Sequence, residues 1–315
     1  MFKYKVTRNK LMKNILSDFD LSGQEIEDLL GLATKIKAAP ASFKDSLKNK
    51  ILGMVFQKPS TRTKASFEAA IYQLGGHAIF LDSTNSQISR GESLAETAKI
   101  LSGYTNGIAA RVYYQADLED MAMASKVPII NALTDKYHTC QILSDLLTIK
   151  EKKGKLAELK LVYFGDAGNN VAHSLIISCS KVGIDVTIAC PQNEKYQPSK
   201  DILVKAKRDV LGKIEITENW NAAAKDADIL YTDTWVSMGM EKEKNERIND
   251  LMDYQINSKT LEKAKADCIV MHCLPAYTGY EISETVLKGP KSVVYEQAEN
   301  KMHMQKAVLY QLMKD

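Results

Sequence analysis

One short stretch of the sequence contains three hydroxyl residues and an arginine at consecutive positions, Ser60, Thr61, Arg62 and Thr63. An apolar stretch with helical spacing follows, and the N-terminus of a helix already carries a partial positive charge. Lys58, Arg62 and Lys64 add further positive charge there, which is unfavourable unless an anion binds. One hydroxyl is enough to cap a helix. The stretch therefore predicts a phosphate site, with a hydroxyl-capped helix and solvated cations as the alternative.

A second pair of candidates, His138 and Gln141, lies at the start of another helical pattern, after the apolar run VPIINA. Residues at this spacing share one face of a helix. A single histidine near a helix start more often caps the helix or packs than acts as a catalyst, so the spacing alone is weak evidence for a site.

The turn FGDAGNNVAHS, residues 164–174, also lies between an apolar run and a helical pattern. Gly165 and Gly168 do not form the GxGxxG spacing of a dinucleotide site, and the next run ends in VTIACPQ without an acidic residue for a ribose. Asn169 and Asn170 are suited to binding a small polar ligand. The alternative is a turn that asparagine side chains stabilise.

Two further candidates follow apolar runs directly, Asp233 in TDTWVSMG and Cys273 in MHCLPA. Asp233 is either a turn residue or an anionic contact for a cationic substrate. Cys273 is either a small core residue or a polar contact. Neither residue type decides between these roles by itself.

Short apolar runs alternate with helical patterns along most of the chain. ILGMVF, HAIFLD, GIAARVY and VPIINA belong to a first series, and LKLVYFGD, VTIACP, DILYTDT and DCIVMHCLP to a second. The alternation predicts an α/β fold with parallel sheets, in which ligands bind beyond the carboxyl ends of the strands. Before the first run, Ser22 and Glu25 form a capping box that opens a helix, and Pro40 ends it.

At 315 residues the chain is longer than one hydrophobic core usually supports, which predicts two domains. Each is expected to contain a parallel sheet flanked by helices. The charged segment KEKKGKLAEL separates the two series of apolar runs. We place the domains at residues 1–147 and 148–297, with a C-terminal helix, residues 298–315, packing back on the first domain.

Composition argues against several classes of protein. The 42 basic and 39 acidic residues give a net charge of +3, too small for a protein that coats nucleic acid or anionic membranes. The five cysteines include no CxxC pair, so neither a disulfide framework nor a structural zinc site is predicted. No apolar stretch is long enough to span a membrane, and the basic N-terminal stretch lacks the apolar core of a signal peptide. We expect a cytoplasmic protein that binds neither nucleic acid nor membranes.

Taken together, these segments resemble the ornithine carbamoyltransferases within the aspartate and ornithine carbamoyltransferase family. The combination of STRT, a downstream HxxQ and HCLP is highly specific. The resemblance covers nearly the whole chain, in the segments ILSDFDLSGQEIEDLL, STRT, SFEAAIYQLGGHAIFL, GESLAETAKIL, AARVY, HTCQ, GDAGNNVAHS, DTWVSMG, HCLPA and AENKMHMQKA. Because it begins near the N-terminus, no organelle presequence is expected.

The resemblance implies that the anion bound at Ser60–Thr63 is the phosphate of carbamoyl phosphate. It also implies that the amine substrate is L-ornithine. The implied contacts with carbamoyl phosphate are Ser60, Thr61, Arg62, Thr63, Gln87, Arg111, His138, Gln141, Cys273, Leu274 and Lys301. The implied contacts with ornithine are Asn170, Asp233, Ser237 and Met238. The implied catalytic residues are Arg111, His138, Asp233 and Cys273. Arg111, His138 and Thr63 would donate to the carbonyl oxygen as it becomes an oxyanion.

The implied chemistry needs neither a metal nor another cofactor, because the departing phosphate can accept a proton itself. Asp233 suits an ammonium side chain, whereas aspartate as a substrate would need cations at that place. A free alkylamine has a pKa of about 10.4, so the δ-amine must lose a proton before it attacks. Asp233 and Cys273 would position it while this happens. The alternatives are a carbamoyltransferase for another amine, such as putrescine or an acylated ornithine, and a binding protein without turnover.

Two positions depart from the pattern of the family. Lys301 occupies the position of the arginine in the common ENR motif, and an ammonium cannot reproduce the bidentate fork of a guanidinium. Thr139 replaces the proline of the usual HPxQ motif, which loosens the loop.

The family also implies a homotrimer or a multiple of trimers. In such an assembly the loop SQISRGES would place Gln87 in the neighbouring subunit's site, with Arg90 nearby. A polar loop after a strand is by default a solvated connection, which is the alternative here.

Overall fold

The computed structural model describes residues 14–236 and 241–314, and its strands form two parallel sheets. The first sheet has the order β2-β1-β3-β4 and consists of β1 Ile51–Phe56, β2 His77–Asp82, β3 Gly107–Arg111 and β4 Ile129–Leu133. The second has the order β7-β6-β5-β8-β9 and consists of β5 Lys160–Phe164, β6 Asp185–Ala189, β7 Ile214–Thr217, β8 Ile229–Thr232 and β9 Ile269–Met271. Neighbouring strands all pair in parallel, which confirms the predicted α/β class.

Helices flank both sheets. Those associated with the first half of the chain are α1 Gly23–Ala38, α2 Thr61–Gln73, α3 Leu94–Leu101, α4 Gln115–Ala124 and α5 Thr139–Lys153. Those of the second half are α6 Asn170–Lys181, α7 Lys200–Ala206, α8 Trp220–Ala224, α9 Lys244–Leu251, α10 Ser258–Lys263, α11 Glu284–Leu287 and α12 Val294–Met313. None of these described helices is long and apolar enough to cross a lipid bilayer.

The start of α1 shows how local sequence sets a helix boundary. The Ser22 hydroxyl accepts from the Glu25 N–H, and the Glu25 carboxylate accepts from the Ser22 N–H at 2.8 Å. This is the predicted capping box. The helix ends at Ala38, two residues before Pro40, because proline cannot continue the hydrogen-bond ladder.

The C-terminal helix α12 packs against α1, α2 and α5 and so returns to the first half of the chain, as predicted. It begins at Val294, earlier than the predicted start at residue 298. Met304 and Val308 on this helix are fully buried in a core that also contains Met54 of the first sheet and Leu161 of the second. This packing places Lys301 beside α5. The predicted domain boundary between residues 147 and 148 falls inside α5, the helix that joins the two sheets.

Strand β7 was not among the predicted strands. It is a four-residue edge strand that pairs only with β6 among the described strands, with Ile214 and Ile216 half-buried and Glu215 exposed. A short alternation of this kind is a weak strand signal, because pairing with a neighbour supplies most of its stability.

Candidate active site

A cleft of about 380 Å³ lies where the carboxyl ends of strands from both sheets meet the N-terminal ends of α2, α5 and α6. Most of the residues predicted as site residues line this cleft: Ser60, Thr61, Arg62, Thr63, Arg111, His138, Gln141, Asn170, Asp233, Cys273, Leu274 and Lys301. The topology therefore brings together segments that are far apart in the sequence. A larger groove, on residues 192–218, shares no lining residue with the cleft.

The N-terminus of α2 forms one wall of the cleft. Ser60 is the N-cap, and its hydroxyl accepts from the Thr63 N–H at 3.3 Å. The single cap thus uses one hydroxyl, whereas Thr61 and Thr63 line the cleft as well. Capping alone does not explain this set of residues, and a helix N-terminus that opens into a cleft is suited to an anion.

Four cationic side chains, Lys58, Arg62, Arg111 and Lys301, line the same cleft. Burial, followed by the charge of Arg62, lowers the pKa of Arg111 to about 10 despite the opposing influence of Cys273. Burial and the charge of Arg111 also lower the pKa of Lys58. These cations destabilise one another until an anion binds, which accounts for the unbalanced charge in the sequence.

Arg111 is the last residue of β3, at a register irregularity between Ala110 and Arg111 in the pairing with β4. It is only 7% exposed, yet its Nε has no hydrogen-bond partner in the described chain. A buried guanidinium with an unused donor is costly unless a ligand completes it. Arg111 is therefore suited to bind an anionic or carbonyl oxygen in the cleft.

Lys301 and His138 are buried residues that line the cleft. Lys301 is 5% exposed, its ammonium donates to Gln141 Oε1 at 2.9 Å, and burial lowers its pKa to about 8. Burial, with the charges of Lys301 and Arg111, holds the pKa of His138 well below its ordinary value. The imidazole is therefore neutral at pH 7 and can donate one N–H to a substrate oxygen without carrying charge.

The backbone of His138 is held by a buried hydroxyl and carboxylate. The His138 N–H donates to Ser174 Oγ at 2.9 Å, and Ser174 Oγ donates to Asp18 Oδ2 at 2.5 Å. Thr139, which takes the place of the family's proline, donates to the same oxygen of Asp18 at 2.9 Å. The buried hydroxyl of Thr139 thus supplies this loop with an anchor that proline lacks.

Asp233 and Cys273 line the same cleft. Asp233 follows β8, and its Oδ1 accepts from Cys273 Sγ at 3.1 Å. Burial, and next the charge of Asp233, raise the pKa of the Cys273 thiol well above its ordinary value. Cys273 is therefore a thiol that donates to the carboxylate, and this pair presents a negative group to the cleft.

The segment after β9 is held in an unusual backbone conformation. Leu274 has φ +58°, in the left-handed region that leucine seldom adopts. The Leu274 N–H donates to His272 Nδ1 at 2.9 Å, and His272 Nε2 lies 3.3 Å from Glu281 Oε1. Two buried side chains thus hold the HCLP turn in place.

Asp233, His272 and Cys273 have potential metal-binding atoms within 4.8 Å of one another. Both ring nitrogens of His272 already make polar contacts, with the Leu274 N–H and with Glu281. Only the Asp233 carboxylate and the Cys273 thiol then remain as potential metal ligands, and they are hydrogen-bonded to each other. Two donors are fewer than structural or catalytic zinc sites use.

The two adjacent asparagines in the turn after β5 have different roles. Asn169 is the N-cap of α6: its Oδ1 accepts from the Ala172 N–H at 2.9 Å, and its Nδ2 donates to the Asp166 carbonyl at 2.8 Å. Asn170 lines the cleft, and its Nδ2 donates to the Thr134 carbonyl at 2.6 Å. The turn interpretation thus describes Asn169, and the ligand interpretation remains for Asn170.

Three predicted residues do not line the cleft as described. Gln87, with Arg90, lines a separate groove on the loop after β2. Ser237 and Met238 lie outside the described residues. Conversely, sequence reasoning assigned no site role to Tyr277, which lines the cleft and is 50% exposed. Its only sequence signal is its position shortly after HCLP.

Comparison with known proteins shows two family models that together match most of the chain. The family model for the carbamoyl-phosphate-binding domain of aspartate/ornithine carbamoyltransferases matches residues 13–151, and the model for the aspartate/ornithine-binding domain matches residues 157–312.

Similar proteins cover nearly all of the chain. An ornithine carbamoyltransferase from Oceanobacillus iheyensis is 48% identical over 308 residues, which are 96% of this chain and 95% of that protein. One from Methanosarcina mazei is 47% identical over 306 residues, which are 96% of this chain and all of that protein. The solved structure of ornithine carbamoyltransferase from Pyrococcus furiosus superposes with a TM-score of 0.91 at 44% identity and covers 96% of this chain and 97% of that one. The chain therefore belongs to the aspartate/ornithine carbamoyltransferase family.

Proposed function

We propose that this protein transfers the carbamoyl group of carbamoyl phosphate to the δ-amine of L-ornithine, giving L-citrulline and phosphate. The observation that carries the proposal is the polarity of one cleft. The cleft is lined both by cations with a helix N-terminus and by the Asp233–Cys273 pair. An anionic and a cationic substrate can thus meet there. The relatives named ornithine carbamoyltransferase support the choice of amine.

In the proposed reaction the unprotonated δ-nitrogen attacks the carbonyl carbon of carbamoyl phosphate. A C–N bond forms, the bond between that carbon and the bridging phosphate oxygen breaks, and the proton from the amine ends on phosphate. Arg111 and the neutral imidazole of His138 donate to the carbonyl oxygen as its charge grows. Arg62, Ser60 and the N–H groups of α2 hold the phosphate.

The two sheets would divide the substrates between them. We assign carbamoyl phosphate to residues 1–147 together with residues 298–315 of the C-terminal helix, and ornithine to residues 148–297. Lys301 would contribute a charge to the phosphate side, since its ammonium already points to Gln141 in the cleft. Asn170 and Asp233 would bind the amino acid, with Ser237 and Met238 added from the segment between β8 and α9.

A panel of amines tests the proposal. With carbamoyl phosphate and ornithine, the purified protein should produce citrulline and stoichiometric phosphate. Putrescine, which lacks the α-carboxylate group, and N-acetylornithine should each react with kcat/KM at least about 100-fold lower, because an unpaired polar group in a closed site is costly. Faster carbamoylation of either amine would reassign the substrate. Binding of carbamoyl phosphate without turnover of any amine would instead support a binding protein.

We also propose that the protein forms a trimer or a multiple of trimers, in which Gln87 and Arg90 reach the neighbouring subunit's site. The first half of the chain exposes several large side chains, Ile79 at 37%, Ile100 at 50%, Tyr104 at 66% and Tyr114 at 63%. Exposed aromatic and aliphatic groups are typical of subunit interfaces.

Mixing two inactive variants tests the shared site. Gln87→Glu would place a carboxylate beside the neighbour's phosphate, whereas Arg62→Ala removes a phosphate contact within its own chain. Each homo-oligomer should be nearly inactive. Co-assembly should restore activity, because some sites then combine an intact α2 N-terminus with an intact loop. If every mixture stays as inactive as the separate variants, each site belongs to a single chain.

A cytoplasmic location and a role in arginine metabolism complete the proposal. The five cysteines are unpaired in the structure, and all but Cys273 are buried. Such a set of free thiols is typical of a reducing compartment.

A further inference from the structure

A buried carboxylate behind the cleft has three hydrogen-bond donors around it. Asp145, on α5, is fully buried. Its Oδ1 accepts from Gln141 Nε2 at 2.8 Å and from Gln297 Nε2 at 2.9 Å. Its Oδ2 accepts from the Tyr231 hydroxyl at 2.8 Å. Asp145 itself is not among the cleft-lining residues, so any influence on a substrate must pass through these neighbours.

This hydrogen-bond network ends at two groups that can only donate, a backbone N–H and an ammonium. The backbone N–H of His272 donates to Gln297 Oε1 at 3.0 Å, and the Lys301 ammonium donates to Gln141 Oε1 at 2.9 Å. An amide that accepts at its oxygen must turn its NH₂ group the other way. Both NH₂ groups therefore meet at Asp145, and a carboxylate suits that place because it accepts from both.

This polarity fixes the orientation of the Gln141 amide. If the amide were reversed, its NH₂ group would face the Lys301 ammonium and its oxygen would face the Asp145 carboxylate. Both contacts would then be lost, and each unmade contact of a buried charged group is costly. The Gln141 oxygen consequently faces Lys301, on the cleft side, and retains a second lone pair that can accept from a ligand.

We propose that Asp145 is a positioning residue that presents the Gln141 carbonyl oxygen to the cleft as an acceptor, so that the site selects a ligand with a terminal NH₂ group over one with CH₃ at the same place. The inference rests on the proposed function, because it takes the NH₂ group to be that of carbamoyl phosphate. A methyl group of similar shape would leave the Gln141 lone pair unused in a closed site. Discrimination then comes from the polarity of the network rather than from the size of the pocket.

Two stable phosphonates test the inference without turnover. Phosphonoacetamide ends in an amide NH₂ group, and acetonylphosphonate carries CH₃ in its place. Titration calorimetry should show that the wild-type protein binds the amide at least about tenfold more tightly, since a buried acceptor is satisfied in only one complex. In Asp145→Leu, which removes the acceptor but keeps a branched side chain, the preference should fall below about threefold through weaker binding of the amide alone.

The conservative variant Asp145→Asn should retain the wild-type preference, because one amide oxygen can still accept from Gln141 and Gln297. Tyr231→Phe removes a hydroxyl that contacts both Asp145 and Gln297, but it leaves the contacts of Asp145 with Gln141 and Gln297, so it should retain the preference as well. Cooperative thermal unfolding is required of each variant, and Asp145→Ala replaces Asp145→Leu if the latter does not meet this requirement.

The inference is overturned if the wild-type protein shows no preference, if removal of the carboxylate leaves the preference intact, or if it weakens both phosphonates equally. It is also overturned if Asp145→Asn behaves like Asp145→Leu, because charge rather than orientation would then matter. Citrulline formation by the wild-type protein is measured separately. If the wild-type protein forms citrulline but the preference between the two phosphonates does not depend on Asp145, the inference is overturned and the proposed function stands.

Discussion

Replacing Arg111 with alanine should lower kcat/KM for carbamoyl phosphate by about 10³-fold or more, the largest loss expected from one substitution in the cleft. Arg111 is nearly fully buried, and its Nε has no partner within the described chain. This donor is thus free for the phosphate or for the developing oxyanion. The variant loses these contacts and leaves His138 and Thr63 as the remaining donors on the carbonyl side.

Steady-state kinetics with carbamoyl phosphate varied at saturating ornithine measures this loss. Arg208→Ala, which removes an exposed arginine outside the cleft, is the matched control and should behave like the wild-type protein. Far-UV circular dichroism should be unchanged in both variants. Kinetics in Arg111→Ala close to those of the wild-type protein would show that Arg111 contacts neither the phosphate nor the developing oxyanion.

Phosphate itself gives a second measurement on the same variant. Inorganic phosphate should raise the Tm of the wild-type protein, because an anion relieves the repulsion among the cations in the cleft and binds only the folded state. In Arg111→Ala the stabilisation at equal phosphate concentration should be much smaller. An equal rise in Tm in both proteins would mean that Arg111 takes no part in binding the anion.

Replacing Asp233 with asparagine should raise the KM for ornithine about tenfold to 100-fold, because a charge-assisted hydrogen bond contributes about 1.5–3 kcal/mol. It should leave the Kd for carbamoyl phosphate nearly unchanged. Asparagine can still accept from the Cys273 thiol, so the substitution removes the charge and keeps the contact. The preference for ornithine over norvaline, whose side chain is uncharged, should therefore weaken.

The titration of Cys273 supplies an independent readout of the same charge. Burial, and next the charge of Asp233, raise the pKa of this thiol. Without the negative charge the thiolate is less disfavoured, so alkylation by iodoacetamide should begin at lower pH in Asp233→Asn. Asp253→Asn, on an exposed position, is the control. If ornithine binding and thiol reactivity both stay unchanged, Asp233 is a turn residue.

Local sequence patterns determined much of this molecule. The capping box of Ser22 and Glu25 starts α1 because its contacts span only four residues. The alternation of apolar runs with helical patterns predicted both sheets, since strands buried on two faces must be apolar almost throughout. The carboxyl ends of these strands then had to carry the site, which made Arg62, His138 and Asp233 candidates by their positions along the chain alone.

Other features depended on partners that are distant in the sequence. Strand β7 is stable only beside β6, and the two asparagines at 169 and 170 differ because only one of them caps α6. The sequence pattern of α5 does not distinguish Asp145 from other helical positions. In the folded protein its carboxylate accepts from the Gln297 amide of α12 and from the Tyr231 hydroxyl of β8. Lys301 reaches Gln141 across 160 positions of sequence. Sequence spacing reports contacts within one element, whereas the polarity of a buried network depends on which elements pack together, and that only the tertiary structure decided.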